Sequence, residues 1–451
     1  SGEILLTPDG LKVSTLHKHK DPAAPQRLLR KVGDPVIEVN NDHCPTAVFQ
    51  RRIVRAKETD GEERLALEED MRQMRLEPIN SDRKVTVASI RNPDISAALD
   101  EVLEVTSLRE MLDERLDESG EDREDFAIAI KPNFMFAYDR NDHTTYTDPE
   151  LVKQLARRLR EWGYTNLALV EAQSTYGEYF DKRSVQEMAD YLGFRADDLY
   201  DIVDMTLEAE GSRDFGPHLG SHPVPPTWRD ADFRIDFAKN KTHAYSYYTL
   251  TLKNIYGTLP HANKFKEYHC GRDIYHTTIE WLRAFPVHYV LIDANLSADG
   301  PFGVFADTSP NVTQTVIGGA DLVAVDWVGA SKMGIDPMLS KYMQLAVEEW
   351  GKPEIELVGD ANPYRPWLNV PAVLTLFTHA GLDANYHFGN VFYMAGGQMD
   401  QTHFSPKNNA WYARLLRKMT DPMRRTFFVR TGENPSVLNR AVSWLMCKMG
   451  Y

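Results

Sequence analysis

Lysine and amide side chains that could bind an anion are concentrated in one stretch of the sequence, Phe233 to Gly257. An aromatic run divides them into two groups: Lys239, Asn240, Lys241, Thr242 and His243, then Lys253, Asn254 and Gly257. The residues before them, Phe233–Phe237, predict a short strand, and the first group predicts a loop at its end. Cationic donors at such a position suit a carboxylate, a phosphate or a developing oxyanion. The stretch therefore predicts a site that handles an anion.

Polar side chains also follow the other strands that the apolar runs predict. Strand by strand these side chains are Lys131 with Asn133, Glu171, Asp293 with Asn295, and Asp321. Because open α/β sheets place ligands at the carboxyl ends of their strands, we expect these residues to converge at one edge of the sheet. Charges of both signs at one edge must pair with each other or with a ligand. Both interpretations, a functional site and a structural network of ion pairs, stay open at this point.

His243 is the candidate for proton transfer, because an unperturbed imidazole titrates near neutral pH. The charge of neighbouring Lys241 is expected to depress the pKa of His243 and favour its proton-accepting form. The alternative is a loop histidine that only donates and accepts hydrogen bonds. We assign His243, Lys241 and Lys253 as candidate catalytic residues. The candidate residues for binding a ligand or cofactor are Lys131, Asn133, Asn254, Lys239, Glu171 and Gly257.

A divalent metal is a further candidate, held by carboxylates near the end of the strand Tyr289–Ile292. Asp293 and Asp299 offer the oxygen ligands that Mg²⁺ prefers. Their spacing matches no dedicated metal motif, and Asp321 also fits the N-cap of the helix that follows it. The sequence therefore leaves two kinds of cofactor as alternatives, a divalent metal and a tightly bound organic group.

Composition excludes several classes of protein. The net charge of −15 over 451 residues argues against general nucleic-acid binding, which needs a positive field around the phosphates. Cys44, Cys270 and Cys447 are far apart and form no CxxC, which excludes an iron–sulfur cluster bound by cysteines of this chain alone. No apolar run is long enough for a transmembrane helix, and the start SGEILL does not resemble a signal peptide. We expect a cytoplasmic protein.

Apolar runs alternate with amphipathic segments along the middle of the chain. The spacing predicts a helix over Ile95–Leu116, and Thr147-Asp148-Pro149-Glu150 is typical of the start of a second helix, which runs to Trp162. Strands at Val85–Ala88, Phe126–Ile130 and Leu167–Val170 accompany these helices. This alternation predicts an α/β fold with a mostly parallel sheet and helices on both faces.

The flanks differ from this core in composition. Residues 1–83 form an N-terminal extension, residues 84–340 the α/β core, and residues 341–451 a C-terminal extension that ends in a basic helical segment. Residues 405–451 hold nine Lys and Arg residues against Asp421 and Glu433 only. Such a tail can dock on a protein partner or an anionic membrane, or pack back onto its own acidic body. An oligomer is compatible with either.

Six motifs in order resemble the family catalogued as domain of unknown function 362. They are KPN, TDPELV, KNKTH, TLKNIYG, DGPFG and GGADLVAVDWVGASKMGIDP, between Val85 and Pro337. By this resemblance the matching positions are Lys131, Asn133, Thr147, Asp148, Pro149, Lys241, Thr242, His243, Lys253, Asn254, Gly257, Gly300, Pro301, Gly319, Asp321 and Asp326. Many relatives carry ferredoxin-like cysteine motifs, which this chain lacks. The motif order is also similar, more loosely, to the lactate-racemase family, which implies acid–base or hydride chemistry beside a carboxylate.

Together these patterns favour an enzyme that acts on a small anionic substrate, a carboxylate or a phosphate. Acid–base chemistry of an oxidoreductase, isomerase or lyase type is favoured over hydrolysis, because no activated nucleophile is visible in the sequence. The alternative function is a non-catalytic carrier that holds a metal or an anionic cofactor for a partner protein.

Overall fold

The computed structural model describes the core of the chain and parts of its flanks. The described residues are 4–7, 10–13, 80–134, 137–243, 246–270, 272–299, 311–364, 399–400, 402–407 and the single positions 415, 437 and 441. Most of the N-terminal extension and of the basic tail lies outside them. No helix in these described ranges is long and apolar enough to cross a bilayer.

The strands of the described residues pair into one large sheet and two small hairpins. They are β1 (Ile4–Thr7), β2 (Gly10–Val13), β3 (Asn80–Arg91), β4 (Ile128–Pro132), β5 (Leu167–Glu171), β6 (Asp201–Asp204), β7 (Glu210–Asp214), β8 (Ser221–Val224), β9 (Phe233–His243), β10 (Tyr247–Thr249), β11 (Tyr289–Ala298), β12 (Asn311–Gly319) and β13 (Lys352–Gly359).

Helices connect these strands. The α-helices are α1 (Ile95–Val105), α2 (Leu108–Ser119), α3 (Pro149–Glu161), α4 (Val185–Leu192), α5 (Met205–Glu208), α6 (Pro226–Arg229), α7 (Thr251–Asn254), α8 (Ile274–Ala284), α9 (Leu322–Lys332) and α10 (Lys341–Trp350). Single turns of 3₁₀-helix lie at Thr175–Glu178, Ile255–Thr258 and Pro337–Leu339, and a π-helix spans Phe265–Cys270.

The large sheet confirms the predicted α/β fold. Its strand order is β13-β3-β12-β11-β9-β4-β5-β6, with β10 paired to β9. Neighbours are parallel throughout the run β11-β9-β4-β5-β6 and between β13 and β3, whereas β12 and β10 run antiparallel to their partners. Every residue of β4 is buried, as expected for a central strand covered on both faces. The carboxyl ends of β4, β5 and β9 therefore meet at one edge.

Helices cover both faces of the sheet. Along β11, Leu291 belongs to one apolar cluster, whereas Val290 and Ile292 belong to another. Successive side chains of a strand point to opposite faces, so apolar residues pack on both sides of β11. The first cluster holds residues of α1 to α4, α8 and α10, and the second holds most of the buried apolar residues of α9.

The predicted start of α3 is confirmed in detail. Asp148 is the N-cap, and its Oδ1 accepts a hydrogen bond of 2.9 Å from the backbone N–H of Glu150. Pro149 occupies the first turn, where its missing N–H costs nothing. The cap fixes the path of the chain between β4 and α3, which forms part of the edge where the strand ends meet.

The helix predicted over Ile95–Leu116 is wrong in one respect, because it is two helices. The Oγ1 of Thr106 donates a 2.6 Å hydrogen bond to the carbonyl of Val102, and Ser107 adopts a left-handed φ of 54°. A left-handed residue cannot continue a right-handed helix. The apolar spacing continues across this break, which is why the sequence predicts one helix.

The loop predicted at Lys239–His243 is a second correction. β9 does not end at Phe237 but continues to His243. Lys239 pairs with Asp293 of β11, and His243 pairs with Tyr247 of β10 after a tight reversal. Alternation along a strand places Lys239, Lys241 and His243 on one face.

Asp321 is the third correction, because it lies at the opposite edge of the sheet. β12 runs antiparallel to β11, so the residues after Gly319 lie near the start of β11. Asp321 forms an ion pair with Arg83 and caps α9 by accepting from the N–H of Ala324 at 2.9 Å. The N-cap expected for this residue is confirmed, and its place among the converging residues is not.

Candidate functional site

A small cavity lies where the ends of β4, β5 and β9 meet α7. Its volume is about 80 Å³, below the roughly 300–1,000 Å³ of pockets for drug-sized ligands. The three candidate catalytic residues, His243, Lys241 and Lys253, line it together. Five of the candidate binding residues also line it: Lys131, Asn133, Glu171, Asn254 and Gly257. The cavity is therefore of a size for a small ligand.

Lys131 and Glu171 form a buried ion pair on one wall of this cavity. The Nζ of Lys131 lies 2.9 Å from Oε2 of Glu171 and donates a second hydrogen bond, 2.6 Å long, to the carbonyl of Pro132. Gly257 provides the space for the pair, because a Cβ there would lie 2.8 Å from Cε of Lys131. Glu171 forms its ion pair with Lys131 and with none of the other lysines that line the cavity.

Three further lysines face the cavity without a carboxylate partner among the described residues. Lys241 donates one hydrogen bond of 2.6 Å, to the carbonyl of Thr145. Lys264 donates one to the carbonyl of Leu259. The ammonium of Lys253 makes neither a hydrogen bond nor an ion pair with any residue in the described ranges. Several N–H donors therefore remain available to a ligand.

Burial lowers the pKa of each of these three lysines. It lowers the pKa of Lys253 to about 8, although this side chain is only half-buried and opens to the cavity. Burial lowers the pKa of Lys264 to about 7, against the opposing attraction of Glu171. Burial, followed by the charges of Lys253 and Lys239, lowers the pKa of Lys241 well below its usual range. Each ammonium is thus disfavoured until an anion joins it.

The turn that carries Lys253 and Asn254 is held by Asp326 of α9. Oδ1 of Asp326 accepts from the N–H of Thr251 at 2.8 Å and from its hydroxyl at 2.6 Å, and Oδ2 accepts from the N–H of Leu252 at 2.9 Å. These bonds satisfy the orphan donors at the start of α7. Asp326 therefore positions Lys253 from behind and does not line the cavity.

Asn254 connects this turn to the floor of the sheet. Its Nδ2 donates a hydrogen bond of 3.2 Å to the carbonyl of Lys131 and a second hydrogen bond to the carboxyl of Asp236. Burial raises the pKa of Asp236 well above its usual range, which favours its neutral form. Asp236 consequently does little to offset the positive charge above it.

Lys239, the remaining candidate binding residue, is not among the residues that line the cavity. Its Nζ lies 2.7 Å from Oδ2 of Asp293, and both side chains are buried. The same carboxylate accepts from the N–H of Asp148 at 2.8 Å and from that of Asn295 at 3.0 Å. Asp293 is therefore fully occupied by protein donors.

The described residues contain no group of three or more His, Cys, Asp or Glu arranged to hold a metal ion. The contacts of Asp293 show that it is the ion-pair partner of Lys239. Asp299 accepts 3.2 Å from Nδ2 of Asn311 and adjoins residues 300–310, which lie outside the described ranges. Its role as a metal ligand stays a prediction.

Sequence reasoning missed Lys264, Tyr256 and Ser174, which also line the cavity. Lys264 lies in the basic segment that follows His261. Tyr256 follows the Lys253-Asn254 pair directly. Ser174 carries a buried hydroxyl that has no hydrogen-bond partner among the described residues. The signal that could have found Tyr256 and Ser174 is that each lies within three residues of a predicted site residue, Asn254 and Glu171 respectively.

The arrangement can bind and polarise an anion. Lysine ammoniums aimed into a small enclosed space stabilise negative charge more strongly than they do in water. Amines whose pKa lies near 7 or 8 can also donate or accept protons at neutral pH.

Residues 128–331 match a protein-family model with the description Domain of unknown function (DUF362). This segment contains all the residues named above as lining the cavity. No curated protein has significant similarity to the chain.

A solved structure, the lactate racemase apoprotein from Thermoanaerobacterium thermosaccharolyticum, is similar over 46% of this chain and 50% of that chain, with 13% identity and a TM-score of 0.31. The likeness thus spans half the length of that protein, and no activity is assigned from it.

Proposed function

We propose that this chain, which carries a DUF362 domain at residues 128–331, is an enzyme that binds a small anionic substrate in the cavity between β4, β9 and α7 and transfers a proton on it. One observation carries the proposal. Lys241, Lys253 and Lys264 face one small cavity and form no ion pair with a described carboxylate. Proteins seldom bury unpaired ammoniums, because desolvation of a charge costs several kcal/mol. A bound anion supplies the missing partner.

Each cavity residue has a role in this proposal. Lys241 and Lys253 hold the anion through charge-assisted hydrogen bonds. Asn133 orients it beside the Lys131–Glu171 pair. His243, at the end of β9 and half-buried at the cavity, moves the proton. This set suits isomerase, lyase or oxidoreductase chemistry beside a carboxylate or phosphate.

Anion binding is tested by isothermal titration calorimetry of the full chain with inorganic phosphate and with acetate. Lys241→Met is expected to weaken binding by about 1.5–3 kcal/mol, the range for a hydrogen bond to a charged group. Lys266→Met is the matched control, because Lys266 is exposed and lies outside the cavity. Equal affinities in the parent protein and Lys241→Met would remove Lys241 from the site.

Proton transfer is tested separately from binding. A panel of small carboxylates is incubated with the protein in D₂O, and NMR follows the exchange of carbon-bound protons next to the carboxylate. We expect exchange in the parent protein and its loss in His243→Ala with little change in affinity. An anion that binds without any exchange across the panel would contradict the enzymatic part of the proposal and leave the binding part intact.

A further inference from the structure

Two lysines of the cavity lie over the same aromatic ring. The Nζ of Lys253 is 5.5 Å from the centroid of the Tyr256 ring, and the Nζ of Lys264 is 5.6 Å from it. A cation within about 6 Å of a ring centroid is attracted by the electron-rich face. The Tyr256 side chain is held in place in turn, because its hydroxyl donates a hydrogen bond of 3.2 Å to the carbonyl of Lys264. Both ammoniums therefore lie close to one aromatic side chain that lines the cavity with them.

We propose that Lys253 and Lys264 act as a pair that binds a doubly charged small anion, a phosphate monoester or a dicarboxylate. This inference rests on the proposed function and adds the charge class of the substrate. Lys253 and Lys264 are eleven residues apart in the sequence, and the fold brings both to the Tyr256 ring and to the same cavity.

The charges around the pair support a dianion. Glu171 is the carboxylate that lines the cavity within the described ranges, and it is paired with Lys131. The other titratable or charged groups that act on the pair or line the cavity with it are Lys241, His243, His269 and the more distant Asp204. Burial lowers the pKa of His269 to about 3, so this imidazole is neutral and adds no charge. A single negative charge would leave one of the two ammoniums without a partner.

The buried hydroxyl of Ser174 is an independent sign of a ligand in this cavity. The residue is 95% buried and lines the same cavity, yet its Oγ has no hydrogen-bond partner among the described residues. A buried hydroxyl without a partner is destabilising, because it has lost its hydrogen bonds to water. An anion oxygen would accept its hydrogen bond.

Proton uptake follows from the same geometry. The pKa of Lys253 is lowered to about 8 and that of Lys264 to about 7, so at pH 8 both amines are partly neutral. A dianion favours the ammonium form of each, which raises both pKa values, so binding at pH 8 takes up protons from solution. At pH 6 both lysines already carry their protons, and the uptake disappears.

The experiment is calorimetric titration of the full chain at pH 8 and pH 6 in two buffers of different ionisation enthalpy, with inorganic phosphate, malonate and acetate. At pH 8, where inorganic phosphate is mainly a dianion, we expect phosphate or malonate to bind about tenfold or more tightly than acetate, the worth of one added charge-assisted hydrogen bond. We also expect proton uptake at pH 8 only. Phosphate and malonate distinguish a phosphate site from a dicarboxylate site.

Variants separate this inference from the proposed function. Lys264→Met should abolish the preference for the dianion and reduce proton uptake, while the matched Lys266→Met keeps both. Acetate bound as tightly as both dianions, or no uptake at pH 8, would overturn the dianion pair and leave an anion site in place. No binding of any of the three anions at either pH would overturn the proposed function itself.

Discussion

Lys131 and Glu171 form an ion pair of 2.9 Å that depends on the absence of a side chain at residue 257. A Cβ at Gly257 would lie 2.9 Å from the Nζ of Lys131 and 3.0 Å from Oε1 of Glu171. Real Cβ atoms do not approach that closely, so the pair must move. The glycine thus maintains a wall of the cavity.

Gly257→Ala is therefore expected to weaken anion binding and to cost about 1–3 kcal/mol of unfolding free energy, the usual cost of overpacking. Denaturant unfolding and calorimetric titration measure the two effects. Gly177→Ala is the matched control, because its Cβ would meet only Arg183, at 3.7 Å. If Gly257→Ala had the affinity and stability of the parent protein, Lys131 and Glu171 would be able to move away from the added Cβ without cost.

Lys253→Met should relieve an electrostatic cost. The folded-state pKa of Lys253 is about 8, below its ordinary value of 10.5, so the ammonium is less stable in the folded than in the unfolded protein. The penalty is complete below pH 8 and fades as the pH rises towards 10.5. Partial exposure screens it, and Lys253 has no acceptor that the substitution would leave unpaired.

The melting temperature of Lys253→Met should accordingly exceed that of the parent protein at pH 7, with a difference that shrinks between pH 8 and pH 10.5. Differential scanning calorimetry without added anion measures both. Lys84→Met, which removes an exposed ion pair with Glu354, should show no such trend. A parent protein that is more stable than Lys253→Met at pH 7 would contradict the unpaired state of this lysine.

Much of the fold was predictable from local patterns. The apolar run of β4 predicts a buried strand, and Asp148-Pro149 predicts the start of α3, each from only a few consecutive residues. β9 was predicted too short because Lys239 to Thr242, in its second half, are polar yet buried. Polarity is normally a sign of exposure, and only the partners on β11 and β10 explain this exception.

The site was predictable where residues directly follow parallel strands. Lys131, Glu171 and Lys241 converge because β4, β5 and β9 run the same way. Asp321 was misplaced because a single sequence does not give the direction of β12. Lys264 was missed because lysines are rarely buried, and its enclosure depends on the packing of the π-helix that follows it.

Asp326→Asn should change how stability depends on pH. Burial raises the pKa of Asp326 from 3.8 to about 7. Between these values the folded protein binds a proton that the unfolded chain does not, so this carboxyl makes stability fall as the pH rises from 3.8 to about 7. Above pH 7 the loss is complete and constant.

The unfolding free energy of the parent protein, relative to that of Asp326→Asn, should therefore decrease from pH 4 to pH 7 and stay constant above pH 7. Urea unfolding at several pH values measures it. Asp360→Asn is the control, because Asp360 is less buried and its pKa is lowered. The stability of the parent protein relative to this variant should not decrease between pH 4 and pH 7. Parallel profiles for Asp326→Asn and the parent protein would show that Asp326 does not titrate there.

Asp293→Ala tests whether this carboxylate is a structural partner of Lys239 or a metal ligand. Removal of Asp293 leaves the buried ammonium of Lys239 unpaired, which is expected to cost about 3–5 kcal/mol of unfolding free energy. Lys239→Met combined with Asp293→Ala should recover part of that loss, because no lone charge remains. Urea unfolding of both variants, after dialysis against a chelator, gives the two values. A double variant no more stable than Asp293→Ala would show that Asp293 stabilises the protein through something other than its ion pair with Lys239.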